Sequence, residues 1–136
     1  MLIKAISQAL TQKGLTRYKV SKATDIAEIS LSVYLRHGHG IGAAAAEKIL
    51  AALDIWATDG TTATQQWRSA ITAAMRNEGK TAYGYAKANG IAPAALINYL
   101  KGGVNVSLGK ILTALGKSGW RLSVGKPQNC HFPSDS

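Results

Sequence analysis

Two stretches of this sequence decide its fold: residues 15–38, LTRYKVSKATDIAEISLSVYLRHG, and residues 80–103, KTAYGYAKANGIAPAALINYLKGG. They are copies of one unit. A shift of 65 residues lays residues 2–38 on residues 67–103 without a gap, and 14 of the 37 aligned pairs are identical. Beyond this stretch the shift falls to 62, which gives the first copy three extra residues in the following loop. The chain is therefore an internal duplication.

Each copy predicts four short helices. Apolar residues recur at i, i+3, i+4 and i+7 from Leu2 and again from Trp67, which is the period of an amphipathic helix. The first helix is expected to end at a left-handed glycine, the second to begin at a threonine N-cap, and a tight turn to precede the third. In the two copies these residues are Gly14 and Gly79, Thr16 and Thr81, and Asp25 and Gly90; the third helices span about 27–36 and 92–101, and the fourth about 43–53 and 108–115.

The segments outside these helices divide the chain. Residues 57–64 are small, polar and contain glycine, which is typical of a linker. Residues 120–124 alternate between apolar and polar and predict a short strand. We therefore expect a first domain over 1–56, a second over 65–125, and a flexible tail over 126–136.

A helix, a turn of three or four residues and a second helix make a helix-turn-helix. The pattern Val20-Ser21-x-x-x-Asp25-Ile26-x4-Leu31-x2-Tyr34 resembles the helix-turn-helix of the lambda repressor/Cro (XRE-like) family, and Tyr85-Ala86-x-x-x-Gly90-Ile91-x4-Leu96-x2-Tyr99 matches it better, because glycine is usual at the turn. The resemblance covers nearly all of residues 1–116. It implies an all-α fold of two tandem domains, each with its third helix in a DNA major groove. The strand over 120–124 resembles the terminal strand of some antitoxin-type members, which implies a homodimer through that strand.

The resemblance also implies which residues contact bases. Family members read bases from the start of the second helix, the exposed N-terminal face of the third, and the residue near its end. Arginine can read guanine, asparagine can read adenine, and glutamate can accept from cytosine. Carried onto the first copy, these positions are Arg17, Glu28, Ile29, Val33 and Arg36, with Ser30 and Ser32 as further base or phosphate contacts; in the second copy the same places hold Ala82, Pro93, Ala94, Asn98 and Lys101.

Lysines near these positions are candidates for phosphate contacts, which position a protein on DNA without reading sequence. They are Lys19, Lys22, Lys80 and Lys87. Residues 1–56 hold seven basic and four acidic residues, a net charge of +3, whereas residues 57–136 hold nine and three, a net charge of +6. The second copy has fewer candidate base-reading side chains and more positive charge. We therefore expect it to anchor the protein on DNA, while the first copy determines which base sequence is bound.

Composition excludes several classes of protein. With 136 residues and a formal charge of +9, the chain favours polyanionic partners, and double-stranded DNA before an anionic membrane surface. No apolar run reaches the roughly 18 residues of a membrane span, and the N-terminus lacks a basic-then-apolar signal region. A single cysteine, Cys130, excludes an internal disulfide framework. We therefore expect a cytoplasmic protein.

The sequence matches dinucleotide-binding, metal-binding and catalytic motifs only weakly. Gly38-x-Gly40-x-x-Ala43 imitates a dinucleotide-binding loop, with residues 29–35 as its preceding strand, but such a loop requires a parallel sheet that the sequence does not predict. His37, His39, Cys130 and His131 lack zinc-ligand spacing. No nucleophile–base pair or carboxylate pair is apparent. We expect no cofactor, no metal and no catalysis.

The sequence thus predicts a sequence-specific DNA-binding regulator, a repressor of a small operon or mobile element. Two alternatives stay open. One is an anti-activator or antitoxin-like module that binds a protein partner through the apolar third helix of the second copy, where Ala94, Ala95, Ile97 and Leu100 lie. The other is a DNA-organising protein without sequence preference, which the net charge alone allows.

Overall fold

The computed structural model describes residues 1–133, which form eight α-helices and a three-stranded sheet. The first copy supplies α1 to α4 and β1, and the second supplies α5 to α8 and β3. The elements are α1 Leu2–Lys13, α2 Arg17–Thr24, α3 Glu28–His37, α4 Ala43–Leu53, β1 Ile55–Thr58, β2 Ala63–Thr64, α5 Trp67–Glu78, α6 Ala82–Ala88, α7 Pro93–Leu100, α8 Leu108–Lys117 and β3 Arg121–Val124.

The predicted helix boundaries are confirmed by their caps. Thr16 Oγ1 accepts a hydrogen bond from the Lys19 amide at 3.2 Å. Thr81 Oγ1 accepts one from the Gly84 amide at 3.1 Å, so both second helices begin in the same way. The turn before each third helix contains one left-handed residue, Asp25 at φ 60° and its repeat counterpart at φ 66°. Aspartate tolerates this conformation and glycine adopts it freely, which explains why the two copies differ there.

The expectation of an all-α fold needs correction, because residues 55–64 and 121–124 form an antiparallel sheet in the order β2-β1-β3. Residues 57–64, predicted as a linker, instead contribute most of a β-hairpin with buried strands. Its turn is organised by Asp59, whose Oδ1 accepts hydrogen bonds from the backbone amides of Thr61 and Thr62 at 2.9 and 2.8 Å. Asp59-Gly60 is a common turn pair, and the short side chains around it fit a buried edge.

The strand predicted over 120–124 is confirmed as β3, and it pairs with β1 of the same chain. The ladder runs from Ile55 opposite Val124 to Thr58 opposite Arg121, and each strand follows the fourth helix of its own copy, so β1 and β3 occupy equivalent places in the repeat. An antiparallel pair of equivalent strands has a local two-fold axis at its centre. The two copies therefore meet about an approximate two-fold axis inside one chain. The homodimer expected through this strand stays a prediction, and one edge of β3 is already used internally.

Both copies contribute to one continuous hydrophobic core rather than two separate ones. Trp67 at the start of α5 is fully buried and reaches into the first copy. Its Nε1 donates to the Ala43 carbonyl at 3.1 Å, and its backbone amide donates to Glu47 Oε2 at 2.7 Å. Gln65 Nε2 donates to the Leu50 carbonyl at 3.0 Å. These bonds attach the second copy to α4, so the predicted boundary between domains is a packed interface.

Residues 126–133, predicted as part of a flexible tail, pack against the sheet, while residues 134–136 of that prediction lie outside the described residues. His131 pairs with the hairpin, accepting from the Ala63 amide at 2.9 Å and donating to the Thr61 carbonyl at 2.7 Å. The Lys126 ammonium lies over the Phe132 ring at 4.4 Å, and that ring meets Trp56 edge-on. Aromatic and cation–π contacts thus hold this segment in place.

Candidate nucleic-acid interface

The first copy presents a helix-turn-helix in which side chains fix the turn. Ser21 Oγ donates to the Ile26 carbonyl at 2.5 Å, and Thr24 Oγ1 donates to the Val20 carbonyl at 2.7 Å. Helices α2 and α3 contact each other on the two sides of this turn. The turn therefore holds α3 at a defined angle to α2.

Arg17 and Ser32, two of the predicted contacts, are brought together by this turn. Arg17 Nη1 donates to Ser32 Oγ at 3.0 Å, which joins the start of α2 to the middle of α3. The hydrogen bond orients the guanidinium along the outer surface of α3, and its remaining donors stay available. The predicted contacts on the two helices thus share one surface.

The other predicted contacts of the first copy lie on α3 at different depths. Glu28, Ile29 and Arg36 are exposed, and Ile29 is 74% exposed, which is unusual for a large apolar side chain that has no partner. Ser30 and Val33 are half-buried. The outward positions are therefore Glu28, Ile29 and Arg36, a charged–apolar–charged set that suits base edges and thymine methyl groups.

The second copy presents a plainer surface on α7. Ala94, Asn98 and Lys101 are exposed, and Pro93 is half-buried in the first turn. Lys101 is the C-terminal cap of α7 rather than a residue within the helix. Asn98 and Lys101 are thus the polar side chains among the predicted base contacts of this copy.

The lysines proposed for phosphate contacts differ in their surroundings. Lys19, Lys22 and Lys87 are exposed, whereas Lys80 forms a 3.1 Å ion pair with Glu78. The Ser118 hydroxyl and Lys80 together hold the pKa of Glu78 below its usual value. Because Glu78 already neutralises its charge, Lys80 would bind a DNA phosphate less strongly than an unpaired lysine would. Lys80 is therefore the weakest of the four candidates for a phosphate contact.

Two exposed tyrosines lie beside two of these lysines and were not among the sequence-predicted contacts. Tyr18 is 56% exposed with the Lys22 ammonium 5.4 Å from its ring centre, and Tyr83 is 58% exposed with the Lys87 ammonium 5.9 Å from its own. Tyrosine and lysine are identical at both positions of the repeat, yet neither is buried. Packing does not explain why these residues are identical in the two copies, and this unexplained identity is the sequence signal that could have identified the two tyrosines.

Arg68 is a third residue that the sequence did not predict, and it distinguishes the two copies. Its Nε and Nη2 donate to the carbonyls of Tyr99 and Gly103 at 2.6 and 2.9 Å, and its guanidinium lies 4.7 Å from the Tyr99 ring centre. Burial, with Glu47 nearby, raises the pKa of Tyr99 to about 12 against the opposing effect of Arg68. The counterpart of Arg68 in the first copy is Ile3, which offers no such bonds. The end of α7 is therefore fixed by a cation, and the end of α3 is not.

The motifs considered for other chemistry remain weak. Residues 29–35 lie in α3 rather than in a strand, and the sheet is antiparallel, so the glycine loop after them lacks the setting of a dinucleotide site. His37 and His39 stack on each other at 5.9 Å. Within residues 1–133 no three metal-ligating side chains cluster, and no helix is long and apolar enough to cross a membrane.

Comparison with known proteins returns no match: no family model, curated protein or solved structure resembles this chain at a significant level.

Proposed function

We propose that this protein is a sequence-specific DNA-binding regulator, most simply a repressor, that works as an internal pseudo-dimer of lambda repressor-like units in the cytoplasm. The recognition helices would be α3 and α7, each entering a major groove. A protein that covers a promoter in this way represses it, and the proposed target is a small operon or mobile element.

The proposal is carried by the pairing of β1 with β3. Helix-turn-helix proteins usually bind as two-fold dimers to two half-sites about one helical turn apart. Here equivalent strands from the two copies pair around Ala57 and Leu122, so one chain supplies the symmetry that other proteins obtain from two subunits. The buried Trp67 and its bonds to α4 keep the two units in a fixed relation. A fixed relation between two units favours binding of both, because the second binding event carries little further entropic cost.

The difference between the copies supports a division of labour. The first copy carries Arg17, Glu28 and Arg36 on the proposed reading surface, and the second carries Asn98 and Lys101 with the larger share of positive charge. Base contacts specify and phosphate contacts position. The operator would therefore be an imperfect palindrome with one strongly and one weakly specified half.

Selection from randomised duplexes tests this function. The intact chain should enrich one motif, and Arg36→Ala should relax the base preference in the strong half at a cost of about 1–3 kcal/mol. Lys101→Ala is the matched control in the second copy, since it removes a cation at the repeat-equivalent position. We expect it to weaken binding with a smaller change in the motif. Equal effects of the two variants on the motif would refute the division of labour.

A protein-binding function through α7 is the second candidate. Ile97 on α7 is 37% exposed and Val104 in the following loop is 77% exposed, so the second copy presents apolar surface beside a helix with few polar side chains. Ile97→Ser combined with Val104→Ser would abolish binding of a protein partner and leave DNA selection by the first copy intact. If both properties were unchanged, this surface would have no role in either function.

A further inference from the structure

A cationic pocket lies on the second copy, away from the outward side chains of α3 and α7. It has a volume of about 330 Å³ and lies between α5, β2 and the C-terminal segment that packs on the hairpin. The polar residues that line it are Arg68, Arg76, His131, Thr62, Ser69 and Thr72. Among the described residues no acidic side chain lines it.

The positions of the two arginines follow from the helix. Arg68, Thr72 and Arg76 are spaced four residues apart along α5, so their side chains lie on one face. Arg76 is exposed and forms no ion pair within residues 1–133. A guanidinium without a carboxylate, beside hydroxyl donors, is the arrangement that recognises a phosphoryl or similar oxyanion.

Comparison of the copies shows that the pocket is not a by-product of the repeat. The residues of α1 that correspond to Arg68, Thr72 and Arg76 are Ile3, Ser7 and Thr11. The first copy therefore carries neither arginine. Beside α1 the strand that takes the place of β2 is β3 of the second copy, which is not part of a hairpin.

Arg68 connects this pocket to the proposed DNA-binding surface. Arg68 lines this pocket, and its guanidinium donates to the Tyr99 and Gly103 carbonyls at the end of α7. An anion held in the pocket would attract the Arg68 guanidinium, and a movement of that group would weaken its bonds to α7. Arg68 thus offers a path by which occupation of the pocket would act on the position of α7.

We propose that this pocket binds a phosphoryl oxyanion, and that binding is transmitted to α7 through Arg68. The oxyanion would come from a small phosphorylated molecule or from a DNA backbone phosphate. The transmission to α7 matters for regulation only if the proposed DNA-binding function holds, whereas the anion site itself does not depend on that function.

Titration of the full-length, isotope-labelled chain with inorganic phosphate at constant ionic strength, followed by amide NMR, tests the site without DNA. We expect the shifted amides to cluster at residues 61–76 and 131 and to extend to 99–103. Arg76→Gln should weaken phosphate binding at least five-fold while leaving the thermal midpoint in chloride unchanged, because Arg76 is exposed. Arg36→Gln, an exposed arginine on α3, is the matched control and should bind phosphate as the wild type does. Equal weakening by both variants, or no effect of Arg76→Gln, would overturn the proposal.

The two sources of the oxyanion are separated by DNA binding in phosphate-free buffer. A backbone phosphate predicts that Arg76→Gln weakens DNA binding there. A free phosphorylated ligand predicts unchanged DNA binding there, together with a change on adding phosphate that the wild type shows and Arg76→Gln does not. If the wild type binds phosphate without shifts at 99–103, the link through Arg68 is refuted. If the chain fails to bind DNA but still binds phosphate as described, the proposed function fails and the anion site stands.

Discussion

Substituting Trp67→Phe should destabilise both copies together. Trp67 is fully buried at the start of α5, and its Nε1 donates to the Ala43 carbonyl in the first copy. Phenylalanine keeps an aromatic ring at this position but cannot donate that bond. The substitution therefore acts on the contact between the copies with little change in polarity elsewhere.

The expected magnitude has two parts. Loss of the partly buried hydrogen bond to the Ala43 carbonyl costs about 1 kcal/mol. The smaller ring leaves a space of roughly 40 Å³, which at about 24 cal/mol per Å³ costs about 1 kcal/mol more. We expect a total loss of about 2 kcal/mol in the free energy of unfolding. The backbone bond from Trp67 to Glu47 is retained and limits the loss.

Urea unfolding measured by far-UV circular dichroism, together with residue-resolved hydrogen exchange, checks this result. Because the core is shared, the variant should keep a single transition at lower urea, and exchange should accelerate in α1–α4 as well as in α5–α8. Leu2→Ala is the matched control, because Leu2 is the repeat counterpart of Trp67 and is also buried. Two separate transitions, or faster exchange in residues 65–117 alone, would refute the single core.

Three further predictions concern charge. Lys22→Gln and Lys87→Gln should each reduce the salt dependence of DNA binding by about one counterion and leave the selected motif unchanged, as measured by fluorescence anisotropy over a salt series. Partial burial disfavours the Asp59 carboxylate, but hydrogen bonds from Thr62 and Thr61 outweigh this and lower its pKa. The stability that this carboxylate contributes is therefore present at neutral pH and lost as the pH falls below 3.8. Asp59→Asn should remove that acid dependence and lower the free energy of unfolding by about 1 kcal/mol, a modest value because the carboxylate is partly exposed. Urea unfolding at two pH values measures both effects. Because the pKa of Tyr99 is raised to about 12 in the folded protein, its neutral phenol contributes stability below pH 10, and that stability is lost as the pH rises towards 12. Tyr99→Phe should therefore flatten the alkaline decline in the thermal midpoint.

Local signals in the sequence predicted the helical part of this fold. Threonine caps, left-handed glycines and the turn residue Asp25 act within a few neighbours, so the residues themselves specify them. The internal repeat strengthened each of these predictions, because every feature occurs twice. The strand at 120–124 followed from its alternation in the same local way.

The pairing of the two copies could not be predicted from local sequence signals, because it depends on contacts between residues that are far apart in the sequence. Ala57 and Leu122 lie 65 residues apart, and nothing local to either specifies the other as a partner. Asp59-Gly60 is a turn signal, yet the short alanine and threonine residues around it look like a linker until they are seen to be buried. The hydrogen bonds from Trp67 to α4 were not predicted either, because their partners lie 20 and 24 residues away in the sequence.

The candidate site was predictable in its positions but not in its contacts. The outward residues of α3 followed from the helix-turn-helix resemblance, whereas the bond between Arg17 and Ser32 needed the geometry of both helices. The role of Arg68 at the end of α7 was hidden, because its partners are backbone carbonyls 31 and 35 residues away.

The most direct test of the central claim is selection of randomised duplexes by the intact chain at about 150 mM salt. The pseudo-dimer predicts enrichment of one imperfectly palindromic motif with half-sites about one helical turn apart, bound by one chain. Uniform, salt-labile binding without an enriched motif would contradict the account.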